Sequence, residues 1–175
     1  MKYKFLIPIT FFLANVAFAQ VAIGKNQVST SSTSLEFGNG NKGIVLPWVT
    51  STTDVESKGV VSGTLVFDTS DKKIKVKDNT GWQDLTVDTS GQVDTILQDN
   101  AEEKEAAKVV IGKKGATDST PGLLVLSDDD KAMILPKVES PHLNIINPAA
   151  GMIVYDTLSK QVAAYNGSVW SFWKP

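Results

Sequence analysis

The sequence repeats itself once, at an offset of 88 or 89 residues, and this repeat limits the possible folds more than any other feature. Three segments recur in the same order: 21–25 as 109–113, 42–47 as 131–136, and 63–69 as 151–157. The similarity continues to Trp82 and its counterpart Trp170. Several matches in one order, with one inserted residue, are typical of a duplicated structural unit. We therefore predict two divergent copies of one unit.

The repeat divides the chain into four segments. Residues 1–19 precede it, residues 20–86 form unit one, residues 87–108 form a linker, and residues 109–175 form unit two. The linker is rich in Asp, Glu, Gln and Thr, a composition that favours a short acidic helix or a disordered segment over a strand. The sequence leaves these two alternatives open.

Residues 1–19 have the order of a secretory signal peptide. Lys2 and Lys4 come first, an apolar run follows, and Ala17 and Ala19 flank Phe18 as in a cleavage site. The apolar run is shorter than the roughly 20 residues that a membrane-spanning helix needs. We expect export, cleavage after Ala19 and no stable membrane insertion afterwards. The expected location is secreted or cell-surface, with the periplasm as the alternative.

The end of each unit has the pattern of a three-stranded meander. Short β-rich runs alternate with turn residues at 64–67, 73–77 and 82–86, and again at 152–155, 161–165 and 169–173. Period-two alternation places Ile74 and Val76 towards a core and the lysines between them towards water. Trp82 and Trp170 stand at the same place in both meanders, where each is expected to close the core.

Further short apolar runs precede each meander and stop at Pro47 and Pro136, which cannot donate to a central ladder. With the meanders they give about ten to twelve short strands and little helix. The predicted fold class is all-β, with mainly antiparallel short strands and meanders. Two tandem divergent repeats are joined by the acidic helix or linker.

Unit two carries a pattern of core and turn residues that resembles a known module. The pattern consists of Leu135-Pro136, Asn147 to Gly151, Val154-Tyr155-Asp156, Tyr165-Asn166-Gly167 and Trp170. It is similar to tail-fibre-like modules at the ends of secreted surface proteins of Bacteroidota. The resemblance implies a non-catalytic surface or fibre role and a homo-oligomer, and it assigns no functional residue. Unit one keeps the pattern only in part.

Composition argues against several kinds of site. All 17 basic residues are Lys, so the planar guanidinium that reads phosphates and guanine edges is absent, and nucleic-acid binding is not favoured. There is no Cys, which excludes disulfides, thiolate metal sites, cysteine nucleophiles and an acylated lipoprotein cysteine. Stability must come from packing or from association with other chains.

No residue pattern predicts catalysis, a cofactor or a metal. His142 is the only histidine and has no nucleophile near it in the sequence. The adjacent carboxylates Asp128, Asp129 and Asp130 lack the spacing of a calcium loop and are interpreted as a solvated turn. The chain is predicted not to be an enzyme. A hydrolase remains the weakest alternative, because paired carboxylates can be distant in sequence.

Two functional hypotheses follow. The first is an exported structural or adhesive surface protein that acts through self-assembly or loop-mediated binding. The alternative is a glycan-binding module in which Trp48, Trp173 and Tyr165 form an aromatic platform for sugar rings. The corresponding partners are further copies of the chain, or a glycan or protein on a cell surface.

Overall fold

The computed structural model describes residues 19–99, 101, 102, 104, 106–113 and 115–173. The predicted signal peptide lies outside these residues, apart from Ala19, and its cleavage stays a prediction. In the described part of the chain, no helix has the length and apolar composition needed to cross a membrane. Short strands dominate, so the predicted all-β class is confirmed.

Both units contain seven strands and one short helix in the same order. Unit one comprises β1 (Val21–Ile23), β2 (Thr33–Phe37), β3 (Ile44–Val45), β4 (Trp48–Val49), α1 (Thr52–Glu56), β5 (Leu65–Asp68), β6 (Lys73–Lys77) and β7 (Trp82–Asp84). A four-residue helix, α2 (Ile96–Asp99), lies in the linker. Unit two comprises β8 (Val109–Ile111), β9 (Leu124–Leu126), β10 (Ala132–Ile134), β11 (Lys137–Val138), α3 (Pro141–Asn144), β12 (Met152–Asp156), β13 (Gln161–Tyr165) and β14 (Trp170–Trp173).

Strand pairing within the units also repeats. β1 pairs in parallel with β2, and β8 pairs in parallel with β9 in the matching register. β4 pairs in parallel with β5, which begins the antiparallel meander β5-β6-β7, and β11 and β12-β13-β14 do the same. The predicted antiparallel meanders are present, and parallel pairs, which the sequence did not predict, accompany them. The parallel pairs arise because the loops before β2 and β5 are long enough to return the chain to the same end of the sheet.

Neither α1 nor α3 was predicted. Ser51 caps α1 by accepting a hydrogen bond from the Asp54 backbone N–H, and Pro141 begins α3, where its missing N–H is not needed. Each helix lies in the connection between two parallel strands of its unit. The helices therefore belong to the duplicated crossover.

Two core clusters stabilise the fold. The first joins the units, with Leu46, Phe67 and Ile74 from unit one packed on Ala150, Ile153 and Ala164 from unit two. The second lies within unit two and contains Val138, Ile145, Met152, Val154 and Ala163. Trp170 packs against this second cluster, as predicted. Its counterpart Trp82 is half-buried and lies 5.8 Å from the Lys77 ammonium, a more polar setting.

The lysines of β6 do not simply face water. Ile74 is fully buried, in agreement with the predicted alternation. The Lys75 side chain, however, is only 13% exposed and lies 2.6 Å from Asp71 and 3.2 Å from Asp84. Lys73 pairs with Asp84 at 2.6 Å. These carboxylates, from the adjoining turn and from β7, cover the lysines because a charge that leaves water needs a partner.

Candidate assembly interface

The first contact between the units is the pairing of β10 with β2. These strands are parallel, and Met133 lies opposite Leu35. The Ala132 backbone N–H also donates a 2.9 Å hydrogen bond to the Ser32 carbonyl. With β1 on its other side, β2 is the central strand of a three-stranded sheet, and Leu35 is only 2% exposed.

The corresponding strand of unit two, β9, has only one neighbour. It pairs with β8, and the structure assigns no strand to its second edge among the residues that it describes. Leu124 holds the register position of Leu35 but is 49% exposed. Val109 and Leu123 are more than half exposed. Unit two therefore presents an open, apolar strand edge, whereas β10 covers the corresponding edge of β2 in unit one.

The second contact between the units is the antiparallel pairing of β3 with β12. Ile44 lies opposite Ile153, and the Leu46 N–H donates a 3.0 Å hydrogen bond to the Gly151 carbonyl. Gly43 makes the close approach possible, since a Cβ at this position would lie 2.5 Å from Cγ of Met152. The strands meet where a side chain would not fit.

Residues 150–153 of unit two fill a groove in unit one. The Trp48 indole N–H donates a 2.8 Å hydrogen bond to the Ala150 carbonyl, and the Trp48 ring lies 6.2 Å from that of Phe67. Gly151 has φ +76°, and a Cβ there would lie 2.9 Å from the Cβ of Phe67. Glycine is therefore required both by the backbone conformation and by the contact.

Unit two has the same groove, and no described residue fills it. Its volume is about 330 Å³, and it is lined by Met133, Ile134, Leu135, Lys137 and Tyr155. Through the repeat, these residues correspond to Ile44, Val45, Leu46, Trp48 and Phe67, which surround residues 150–153 in unit one. One groove is occupied within the chain and its duplicate is open.

Buried carboxylates stabilise the strands around these contacts. In β2, Glu36 accepts hydrogen bonds from Lys25 at 2.7 Å and from the Ser29 hydroxyl and backbone, which together lower the pKa of Glu36 to about 2. At the end of β12, burial raises the pKa of Asp156, but backbone N–H donors of Ser140, Leu158 and Ser159 outweigh burial and lower it. Both groups are expected to be ionised near neutral pH.

The three aromatic residues of the predicted glycan platform lie in different settings. Trp48 is half-buried between the units and also lines a second groove of about 360 Å³ with Thr50, Thr69, Thr95, Gln98 and Asp99. Tyr165 packs on Trp170, with the ring centroids 5.2 Å apart. Trp173 is 55% exposed. Because Tyr165 pairs with Trp170, three positions from Trp173, Tyr165 and Trp173 point to opposite faces of the sheet and do not share a stacking surface.

His142 packs against an aromatic ring, and Asp128 of the acidic run 128–130 forms an ion pair. The exposed His142 ring makes an edge contact with Phe172 at 5.6 Å. Asp128 accepts the Lys113 backbone N–H and pairs with Lys131 at 2.7 Å, so this carboxylate closes the turn and is not solvated as expected. Within the described ranges, no three His, Asp or Glu side chains come together as metal ligands.

Sequence reasoning missed the two uncovered features of unit two, the groove along β10 and the second edge of β9. The repeat contained a usable signal, because apolar residues at 133–135 and Tyr155 match residues of unit one. What the sequence did not reveal is that the unit-one copy is covered by the other unit. That information lies in contacts between residues about a hundred positions apart.

Comparison with known proteins adds one match. Residues 113–174, which span strands β9 to β14, match the family model described as the phage tail-like trimerisation region. No curated protein and no solved structure matches the chain. The match supports the tail-fibre-like part of the predicted resemblance and points to a structural role rather than to catalysis. Unit two is therefore similar to a phage tail-like trimerisation region, a module of structural, self-assembling, fibre-like proteins.

Proposed function

We propose that this chain is an exported structural protein that trimerises through unit two and contributes to a fibre-like or adhesive structure at the cell surface. The observation that carries the proposal is the open apolar edge of β9, which lies inside the segment similar to a trimerisation region. Export rests on the sequence of residues 1–19.

The β8-β9 sheet is incomplete by itself, because it has only two strands in the described part of the chain. Parallel sheets are normally covered on both faces, and two strands are rarely stable without further packing. Val109, Leu123 and Leu124 nevertheless stand exposed on this sheet. Exposed apolar patches of this kind mark interaction surfaces, and a second copy of the chain is the partner that a self-assembling module requires.

Light scattering on the purified chain 20–175 tests the assembly. The expected mass is three times that of one chain. Leu124→Asp should reduce it to the mass of a single chain, because a carboxylate would be buried without a partner. The matched control is Val87→Asp in the linker, where the side chain is 86% exposed and the mass should stay unchanged. A chain that remains monomeric at micromolar concentration would contradict the proposal.

Cell fractionation tests export and surface location. The processed chain should begin at Gln20 and should be recovered with the outer surface or the medium. Protease added to intact cells should digest it if it is displayed. Retention of the unprocessed chain inside the cell would contradict this part of the proposal.

Glycan binding is a second candidate, and the groove beside Trp48 favours it. An aromatic ring there is flanked by the hydroxyls of Thr50 and Thr95 and the amide of Gln98, the chemistry that orients a sugar. A glycan array and tryptophan fluorescence provide the test, with Gln98→Ala and Trp173→Ala compared separately. If neither variant changes a sugar-dependent signal, or no such signal exists, this candidate is wrong.

A further inference from the structure

We propose that the open groove of unit two receives residues 62–65 of a second copy, so that β10 of one chain pairs antiparallel with β5 of the other. This inference rests on the proposed self-assembly and specifies which surfaces meet. The groove is the one lined by Met133, Ile134, Leu135, Lys137 and Tyr155. Its occupant is unit one of another chain.

The occupied groove of unit one supplies the template. There, β3 pairs with β12, the Leu46 N–H bonds to the Gly151 carbonyl, and Gly151 packs on Phe67. Because the two units repeat the same strands, the duplicate of this contact would join β10 to a β5 strand. That contact is not made within the chain, since β10 pairs only with β2 and β5 only with β4 and β6, as far as the structure describes them.

The segment that would enter has the same backbone shape in both units. Gly63 has φ +91° and Gly151 has φ +76°. The Gly63 N–H donates to the Lys77 carbonyl at 2.8 Å, and the Gly151 N–H donates to the Tyr165 carbonyl, also at 2.8 Å. A Cβ on Gly63 would meet nothing within 4 Å, so this turn is presented free of neighbours.

Residue sizes compensate one another at one of the two side chains that approach this position. In the occupied groove, a Cβ on Gly43 would lie 2.5 Å from Met152 and 2.7 Å from Val154. At the duplicate positions the smaller Thr64 replaces Met152 and leaves room for the Cβ of Ala132, whereas Val66 keeps the place of Val154, so β10 must lie slightly farther from β5 there than β3 lies from β12. The repeat aligns Met133 with Leu65 of the second copy, and the Leu135 N–H with the Gly63 carbonyl of that copy.

The same placement of the second copy would also cover the exposed edge of β9. In the chain, β10 pairs in parallel with β2, with Met133 opposite Leu35. The duplicate contact places β3 of the second copy along β9, with its Ile44 opposite Leu124. One neighbouring unit would therefore close both the groove and the strand edge. Such a head-to-tail contact forms a ring when its rotation closes and a filament when it does not.

Cysteine cross-linking in this cysteine-free chain tests the pairing. Two separately tagged single-cysteine chains, Met133→Cys and Leu65→Cys, are mixed, co-refolded and oxidised. A disulfide between the two tags is expected, because opposed residues of an antiparallel pair lie within disulfide range. Mixing Met133→Cys with Val87→Cys is the matched control, and no disulfide between the two tags is expected in it.

A positive control uses the pairing that the chain makes with itself. The double variant Ile44→Cys, Ile153→Cys should form an intramolecular disulfide in the same strand geometry. Failure of this disulfide would remove the template and overturn the inference. If the chain assembles by light scattering and forms the control disulfide, but Met133 and Leu65 do not cross-link, the inference is wrong while self-assembly stands. A monomeric chain overturns both.

Discussion

Leu35 and Leu124 occupy the same register position in the two units, yet Leu35 is 2% exposed and Leu124 is 49% exposed. On one side, the two strands have equivalent neighbours, β1 beside β2 and β8 beside β9. They differ on the other side, where β10 covers β2 and no described strand covers β9. Duplication therefore preserved the fold of the unit, while burial depends on whether a second unit is available as a neighbour.

The largest expected difference in stability between the two units comes from removing the aromatic ring from each groove. Phe67→Ala should lower the free energy of unfolding by about 3–5 kcal/mol, because Phe67 is fully buried between the units. Tyr155→Ala, at the duplicate position in the open groove, should cost less than half as much in a dilute monomeric sample. Urea denaturation followed by circular dichroism measures both, and equal losses would contradict the difference between the grooves.

The two leucines give the next largest effect. Leu35→Ala should lower the free energy of unfolding by about 2–5 kcal/mol through the cavity it leaves. Leu124→Ala should change the stability of the monomer little, since half of its side chain is already in contact with water. It should instead raise the concentration needed for self-association. Sedimentation velocity over a dilution series separates these outcomes, and a stable monomer with unaltered association in L124A would count against the account.

The two meanders also differ in the hydrogen bonds made by the aspartates at the ends of β5 and β12. Asp156 accepts three backbone N–H groups, whereas Asp68 accepts that of Ser70. Asp156→Ala should therefore lower the free energy of unfolding by about 1–3 kcal/mol, because it leaves these N–H groups without their acceptor, and Asp68→Ala should lower it by less. Thermal unfolding at neutral pH compares the two variants. The reverse order would show that backbone capping does not determine the cost.

The smallest effect is the pH dependence that Glu36 contributes in unit one. The pKa of Glu36 falls from its ordinary value of 4.5 to about 2, chiefly through Lys25. A lowered pKa means that the folded state holds the carboxylate more strongly ionised than the unfolded state does. The stabilisation is therefore complete above pH 4.5 and is lost as the pH falls towards 2.

Glu36→Gln should flatten this part of the stability profile measured by urea denaturation between pH 2 and 6. Val125, the duplicate position in unit two, carries no titrating group, so Val125→Ala should leave the shape of the profile unchanged. A profile that is equally steep in E36Q would assign the acid sensitivity to other carboxylates.

Local sequence patterns predicted which strands form better than they predicted which strands pair with one another. The repeat followed from comparing the sequence with itself. Periodicity and turn residues predicted the two meanders, the burial of Ile74 and the place of Trp170. The short helix after Ser51 was missed, although Ser51 followed by Asp54 is a capping signal that the sequence contains.

The parallel pairs and the contacts between the units could not be predicted in the same way. The registers of β10 on β2 and of β3 on β12 depend on residues about a hundred positions apart, and no local periodicity encodes them. The relative placement of the predicted glycan-binding residues could not be read from the sequence for a related reason, and glycan binding stays a prediction. Whether Tyr165 and Trp173 share a face depends on the register of β13 with β14.

Hydrogen exchange at the backbone amides of β2 and β9 tests the central claim most directly, that an open half of the repeat is completed by another chain. In concentrated, assembled protein the amides of both strands should exchange slowly. On dilution to the monomer, β9 should lose its protection while β2 keeps it. If β9 exchanges rapidly even in the assembled protein, its edge is not where the copies meet, and the account is wrong.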